Sequence, residues 1–423
     1  MIRVLGNPSY ARLFGAQVVA LLGTGLLTIA LGLLAFEIAG GDAGVVLGTA
    51  LMIKMVAYVL VSPVTGALAW RVPRKPLLVG ADLVRAGVAV SLPFVTQAWQ
   101  IYLGIFLLQS ASATFTPAFQ AVIPSVLPDE DDYTRALSLS RLAYDLESLL
   151  SPLLAAALLT VTSYHNLFAG TVAGFLASAG LVVAVRFPQL KTPPPAPFRD
   201  RLTQGTRIFW ASPELRGLLG LNLTVATSTA MVVINTVVLV RGALGMSQSD
   251  VAVLLGAYGA GSMVVALAIP SLLERTRDRT AMLTGGTLLP LLLLGVAPTI
   301  VWGHHQTRWP LLLTLWFLLG AATSAVLTPS SRLLRRNSTD TNRPAVFAAQ
   351  FSLSHACFLL TYPLAGILGA AIGLPATALV LALIGSAGLL VAAVAWADVA
   401  ARRRTHRALD IRCPNPARQP GRP

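Results

Sequence analysis

The chain alternates between long apolar runs and short charged segments. Twelve runs stand out, over approximately 12–36, 44–69, 76–96, 99–121, 137–161, 166–186, 215–240, 248–272, 281–302, 309–329, 346–371 and 375–397. A run of about 20 residues, coiled as a helix, crosses the ~30 Å hydrocarbon core of a bilayer. The pattern predicts an all-α membrane protein with twelve transmembrane helices. The bases set its orientation. Arg71, Arg74 and Lys75 follow run two. Arg186, Lys191, Arg199, Arg201, Arg207 and Arg216 lie between runs six and seven. Arg275, Arg277 and Arg279 follow run eight, and Arg332, Arg335, Arg336 and Arg343 follow run ten. Arg402, Arg403, Arg404, Arg407 and Arg412 follow run twelve, whereas the alternate loops hold little beyond Arg241 and Arg308. This positive-inside pattern predicts that both termini are cytoplasmic.

Composition agrees with that picture. Only 11% of the 423 residues are charged, where a soluble chain carries about a quarter. Hydrophobic residues make up 55%, and the mean hydropathy is +0.72. The 35 glycines and 27 prolines suit transmembrane helices, whose neighbours re-satisfy freed backbone groups. A net charge of +14 raises the question of nucleic acid, but bases confined to alternate loops argue against such a partner. Cys357 and Cys413 offer neither a disulfide framework nor metal-ligand spacing. The first apolar stretch, Leu13 to Phe36 after Arg3 and Arg12, exceeds the roughly 7–15 residues of a cleavable signal core. The bilayer is the expected surrounding, in a cell inner (plasma) membrane.

The longest connector, Phe187 to Pro213, contains Pro193, Pro194, Pro195 and Pro197 and then a basic stretch from Arg199 to Arg207. Prolines favour an extended spacer, and the later part suits an amphipathic helix on the inner leaflet. It divides the chain into a six-helix bundle over 1–190, a linker over 191–213, a second bundle over 214–400 and a basic tail over 401–423. The two halves repeat. Thr116-Pro117 ends run four and Thr328-Pro329 ends run ten. Ser138-Leu139-Ser140-Arg141 opens run five, and Ser352-Leu353-Ser354-His355 opens run eleven. Pro152-Leu153 and Pro363-Leu364 follow in order. A parallel repeat of six plus six is the plan of the major facilitator transporters.

The segment after run two reads Gly66-Ala67-Leu68-Ala69-Trp70-Arg71-Val72-Pro73-Arg74-Lys75. It resembles the major facilitator loop signature, Gly-x-Leu-x-Asp-Arg-x-Gly-Arg-Arg/Lys, at Gly66, Leu68, Arg71, Arg74 and Lys75. Trp70 replaces the acid and Pro73 the second glycine. The resemblance implies a gate that locks the outward-facing state, here resting on Arg71, Arg74 and helix-end dipoles. Those bases also satisfy a plain positive-inside loop. Asp82 and Arg85, three residues apart on one helical face, are expected to pair near the cytoplasmic surface and brace that loop. Phe115-Thr116-Pro117 through Pro124, with Ala136-Leu137-Ser138, resembles the exporter branch that includes the enterobactin exporter and macrolide-efflux proteins. The opening Ala16-Gln17-Val18 through Gly23-Thr24-Gly25 is similar, more loosely, to nickel-resistance exporters. Pro152 matches the antiporter signature Gly-Pro-x-x-Gly-Gly, with Ser151, Ala155 and Ala156 in place of its glycines.

Run five carries the strongest candidate chemistry: Arg141, Tyr144, Asp145 and Glu147. An ionisable group at membrane depth costs about 2.5–3.5 kcal/mol on insertion scales and marks a functional site by default. At ~1.5 Å per residue, Asp145 lies roughly 12 Å and Glu147 roughly 15 Å from the start of the run. Arg141 and Asp145 stand at i and i+4, which predicts a structural or gating pair. Glu147, about 200° round from Asp145, is the expected proton carrier, with a fixed ion pair as its alternative, and Asp145 is counted beside it as a proton-coupling residue. Lys54, about ten residues into run two, faces three readings: a partner for Glu147, a counter-charge for an anionic substrate, or a snorkelling lysine. Gln17, Gln109 and Asn222 are cavity candidates because runs one, four and seven line the pathway in the resembled family. Asn235 and Gln350 read as interhelical glue. His355 occupies the repeat position of Arg141, and gating suits it as well as metal contact. His304 and His305 fall in an outer loop.

The resemblance implies a secondary active transporter, a proton-coupled efflux antiporter of a drug-like or siderophore-like small molecule. A divalent cation such as nickel is the alternative cargo. A membrane-embedded enzyme or scaffold is the alternative of another class. No His/Glu metal motif, Ser/His/Asp set or Gly-x-x-x-x-Gly-Lys-Ser/Thr loop is present in the sequence. No cofactor, no bound metal and a monomer working with lipid, protons and substrate are therefore expected.

Overall fold

The computed structural model describes residues 2–39, 43–68, 71–187, 197–302 and 305–412, and the described residues form helices and short connections without strands. Trp70, Pro193, Pro194, Pro195, His304 and Cys413 lie outside the described residues. A 3-10 turn, Ile2–Gly6, leads into α1 (Pro8–Ala39). There follow α2 (Ala43–Leu68), α3 (Arg74–Ser91), α4 (Ala98–Val126), α5 (Glu130–Leu159) and α6 (His165–Val183). The connector forms α7 (Phe198–Ala211), which precedes α8 (Pro213–Val237), α9 (Gln248–Arg275), α10 (Asp278–Trp302), α11 (His305–Arg336) and α12 (Arg343–Arg412).

Several helices outrun the apolar stretches that predict them. Helix α11 continues from the predicted end at 329 to Arg336. Arginine is a good helix former, and bases in a last turn complement the helix dipole. Helix α5 starts at Glu130, seven residues before its apolar run. The Asp129 side chain caps it by accepting from the Asp131 and Asp132 backbone amides at 3.0 and 2.9 Å. Helix α12 is broken at Gly373, where φ is 81° and ψ 164°. A side chain there would be strained, and Pro375 follows it. Among the described residues, ten helices are long and apolar enough to cross a membrane. Helix α12 counts among them once, across its break. Helix α5, which carries Glu130, Asp131, Asp132, Arg135, Arg141, Asp145 and Glu147, is not one of them.

The apolar cores sort by half. A large cluster around Leu254, Leu289 and Trp316 lies mostly among α8–α12, joined by Ala121 of α4 and Phe209 of α7. Two others, around Phe119 and Tyr133 and around Leu92 and Phe168, lie among α1–α6. Where all surrounding solvent is apolar, close approach of backbones decides helix packing, and small residues permit it. A Cβ on Gly320 would overlap the Tyr258 carbonyl oxygen, and one on Gly261 the Phe317 carbonyl oxygen, so α9 and α11 cross through reciprocal glycines. Gly220 and Gly388 do the same for α8 and α12. Trp316 satisfies its indole N–H on Thr236 Oγ1 at 2.9 Å.

Helix α7 is amphipathic and lies against α2, α12 and α8. It buries Gly205 and Phe209 and exposes Phe198 and Trp210. Gly205 rests on the Ala345 carbonyl, where a Cβ would overlap.

The glycine crossings generate a test. Gly320→Val is expected to lower the yield of monodisperse protein in detergent several-fold, because α9 and α11 must part. Gly80→Ala, on a position with open space around it, leaves yield and thermal midpoint at or slightly above wild type. Fluorescence-detected size exclusion after a heating series reads both.

Candidate functional site

Two sets of residues connect α1–α6 with α8–α12. The first closes one end of the helix bundle. Helix α2 meets α12 there: Ser62 Oγ donates to the Ala348 carbonyl at 3.1 Å, and Ser352 Oγ to the Val59 carbonyl at 2.6 Å. Gly66 faces Ala348, whose methyl would stand 2.7 Å from an added Cβ. Arg74 sits within electrostatic range of Arg343 and Asp340. Lys75 donates to the Val183 carbonyl at 2.8 Å, and Arg71 is exposed. Helix α5 meets α11 on the other flank. Arg332 binds Glu130 at 2.7 Å, Asp278 at 3.5 Å and Thr134 Oγ1 at 2.8 Å. Arg336 binds Asp278 at 2.6 Å and also pairs with Glu130. Arg335 donates to the Pro128 carbonyl and lies 5.0 Å over the Tyr133 ring. Glu130 of α5 thus holds two α11 guanidiniums across the seam, and Asp278 of α10 braces both from their own side.

Burial works to raise the Glu130 carboxyl pKa, but the hydrogen bonds and charges of Arg336 and Arg332 outweigh it. The net position is below the usual glutamate value near 4.5. None of Glu130, Thr134, Asp278 or Ser262 was singled out by the sequence, where Arg332 and Arg336 read only as positive-inside bases. The available signal was the acidic run Asp129 to Asp132, which the predicted topology puts on the same side as that basic run.

The second set lies deeper. Lys54 Nζ stands 5.7 Å over the Tyr58 ring. Tyr58 donates to Gln109 Oε1 at 2.8 Å and meets His355 edge-on at 4.7 Å and Phe351 at 4.9 Å between ring centroids. His355 Nδ1 lies 2.7 Å from the Phe351 carbonyl; donation there leaves Nε2 as an acceptor. Glu147, on α5, is within electrostatic range of Lys54 and takes a long 3.5 Å hydrogen bond from Ser151 Oγ. It lies on bare backbone of α1: a Cβ on Gly25 would come 2.7 Å from its Oε1 and would overlap Ser151 Oγ. The structure thus brings Lys54, Gln109, Glu147 and His355 into one neighbourhood.

The other predicted residues make contacts of their own. Arg141 pairs with Asp145 at 3.1 Å and donates across the seam to Ser262 Oγ on α9 at 3.0 and 2.9 Å. Gln17 accepts from Ser140 Oγ at 2.9 Å. Asn222 donates to Gln350 Oε1 at 3.1 Å within α8–α12. Asp82 and Arg85 pair, and both are buried among neighbouring helices, at 0% and 4% exposed. The Arg85 guanidinium is held between Phe115 and Phe175 at 4.4 and 4.6 Å, and Ser178 donates to Asp82 Oδ2 at 2.7 Å. Depth counted along a helix does not say which side faces its neighbours, and here that side faces α4 and α6.

Comparison with known proteins gives one family. The family model described as Major Facilitator Superfamily matches residues 13–302 and 218–412. Macrolide efflux protein A of Streptococcus pyogenes is 28% identical over 183 residues, which is 42% of this chain and 44% of that protein. The chain therefore spans under half the length of that curated relative. Among solved structures, the human organic anion transporter MFSD10 superposes with a TM-score of 0.74 at 14% identity, over 91% of this chain and 99% of its own. The transporter FucP in its outward conformation does so with a TM-score of 0.70 at 16% identity, over 91% and 98%.

The closed end yields a prediction with a definite sign. A carboxyl whose pKa is depressed by closure stabilises the closed end above its unperturbed pKa and loses that effect as pH falls through the depressed value. Spin-label distances between the start of α5 and the end of α11 are expected to lengthen on acidification below the usual carboxylate range. Glu130→Gln lengthens them already at neutral pH and shrinks the acid response, with Asp278 retaining its own ties. Unchanged distances in that variant would remove Glu130 from the closure.

Proposed function

The chain belongs to the Major Facilitator Superfamily, and we propose that it is a proton-coupled efflux transporter working by alternating access. On this reading α1–α6, α8–α11 and the two parts of α12 flanking Gly373 supply twelve crossings. Helix α7 then lies on the cytoplasmic face of the inner (plasma) membrane, between a bundle over 1–190 and a bundle over 214–400. Both termini are cytoplasmic, since the bases gather at the end that carries α7. The seam contacts Ser62–Ala348, Arg332–Glu130 and Arg336–Glu130 sit at that same end, so the arrangement is an outward-facing one with its cytoplasmic gate shut. The transporter works as a monomer.

The observation that carries the coupling is Glu147. It is a carboxyl group well inside α5, half-buried, opposite a lysine and lightly bonded to its surroundings. Such a group can gain and lose a proton without dismantling the fold. The Arg141–Asp145 pair, tied to Ser262 of α9, belongs to gating. The macrolide-efflux relative supports a drug-like cargo of small-molecule size. Gln17, Lys54, Gln109, Asn222 and His355 are the polar groups offered to it.

In proteoliposomes, an imposed pH gradient is expected to drive counterflow of cargo, and Glu147→Gln to abolish that response while the protein stays folded. Gly25→Ala, which pushes Glu147 and Ser151 off α1, is expected to reduce the coupled rate at least tenfold. Fluorescent-substrate flux with and without a protonophore reads both. Flux indifferent to the gradient in wild type would sink the antiport reading.

A further inference from the structure

Most buried charges of this protein have found a partner. Asp82 has Arg85, and Arg141 has Asp145 at 3.1 Å. Lys54 and Glu147 differ. They are of opposite sign and within electrostatic range of one another, yet their charged atoms do not come within the 4.0 Å of an ion pair. Among the described residues Lys54 has neither a hydrogen bond nor an ion pair, and its Nζ lies 5.7 Å over the Tyr58 ring. Among the same residues the hydrogen bond of Glu147 is the 3.5 Å one from Ser151. Both side chains are half-buried and so remain reachable. At membrane depth a gap between unlike charges is a high-energy arrangement that a bridging group can relieve.

The wall beside the gap has its own chemistry. On α12, Phe351, His355, Phe358 and Tyr362 follow one another at 4.3, 5.9 and 5.3 Å between ring centroids. Tyr58 of α2 meets the stripe at His355. The spacing of four, three and four residues lays these rings along one face of the helix. His355, Phe358 and Tyr362 are half-buried rather than packed away. Ring faces and edges take flat apolar bodies.

We propose that this neighbourhood is a binding site for zwitterionic amphipaths: molecules with an apolar, preferably aromatic body and both an ammonium and a carboxylate. The ligand carboxylate binds Lys54, the ligand ammonium binds Glu147, and the body lies on the Tyr58–His355–Phe358–Tyr362 wall. The assignment rests on the proton-coupled reading above and names its cargo. It also fits the sign of exchange. A proton on Glu147 removes the anion that holds the ligand ammonium, so proton and ligand oppose each other, as antiport demands. A purely anionic ligand on Lys54 would be favoured by that same proton and would travel with it.

Three fluorescent probes test the charges separately: ε-dansyl-lysine, its methyl ester without the acid, and its Nα-acetyl derivative without the ammonium. Binding to the full-length protein in detergent is followed near neutral pH by dansyl emission. Wild type is expected to bind ε-dansyl-lysine about tenfold tighter than either derivative. Lys54→Met removes the advantage over the ester and leaves ester binding alone, and Lys54→Arg restores it. Glu147→Gln removes the advantage over the acetyl compound. Equal binding of all three by wild type, no binding of any, or an advantage that survives both substitutions overturns the assignment. The pH-gradient flux assay is independent: a zwitterion preference without gradient-driven flux would overturn the coupling and keep the site. Gradient-driven flux of a purely cationic dye, with no zwitterion preference, would do the reverse.

Discussion

A charged side chain at membrane depth must be neutralised by something other than hydrocarbon, and this requirement organises the molecule. Arg85 meets it with Asp82, two aromatic faces and a serine on the carboxylate. Every participant lies within α3, α4 and α6, so the cluster welds helices that need not separate. Arg141 meets it differently. Its partner Asp145 is on the same helix, but two of its nitrogens reach Ser262 on α9. That serine is neutral, so the contact can be broken without stranding a charge in the interior. Lys54 and Glu147 leave the requirement partly unmet, and a partly unmet requirement is what lets a site accept something from outside.

The seam differs between its two flanks. The rim where α5 meets α11 carries formal charges: Glu130 reaches Arg332 and Arg336 across it, and Asp278 backs both arginines from their own side. Water can solvate those groups when they part, which keeps the strength of such pairs modest. On its other flank, where α2 meets α12, the seam consists of hydroxyl–carbonyl bonds at Ser62 and Ser352 and of glycine against alanine at Gly66 and Ala348.

Much of the architecture could be read from apolar run lengths, because bilayer thickness imposes a ruler on the sequence. The break between 371 and 375 reappears at Gly373, and the later connector is the amphipathic α7. The i, i+4 pair of Arg141 and Asp145 was legible because helix geometry alone brings those residues together. Glu130 and Arg332 were not legible, since about two hundred residues separate them and each looks ordinary beside its own helix end. The aromatic and serine partners of the Asp82–Arg85 pair were not legible for a related reason: position along a helix is local, whereas burial depends on what packs alongside. The polar start of α5 was hidden because its length comes from the Asp129 cap rather than from hydropathy.

Small residues recur where α2 and α7 meet α12. Gly66 lies on Ala348, and Gly205 lies on Ala345. Two cogs with interlocking teeth must strip or jump to move, but two smooth faces can slide or lift apart with nothing to unmesh. A seam lined by hydrogens and carbonyl oxygens therefore lowers the friction of opening, and it lets the rim ion pairs, rather than side-chain interdigitation, set how long the doorway stays shut.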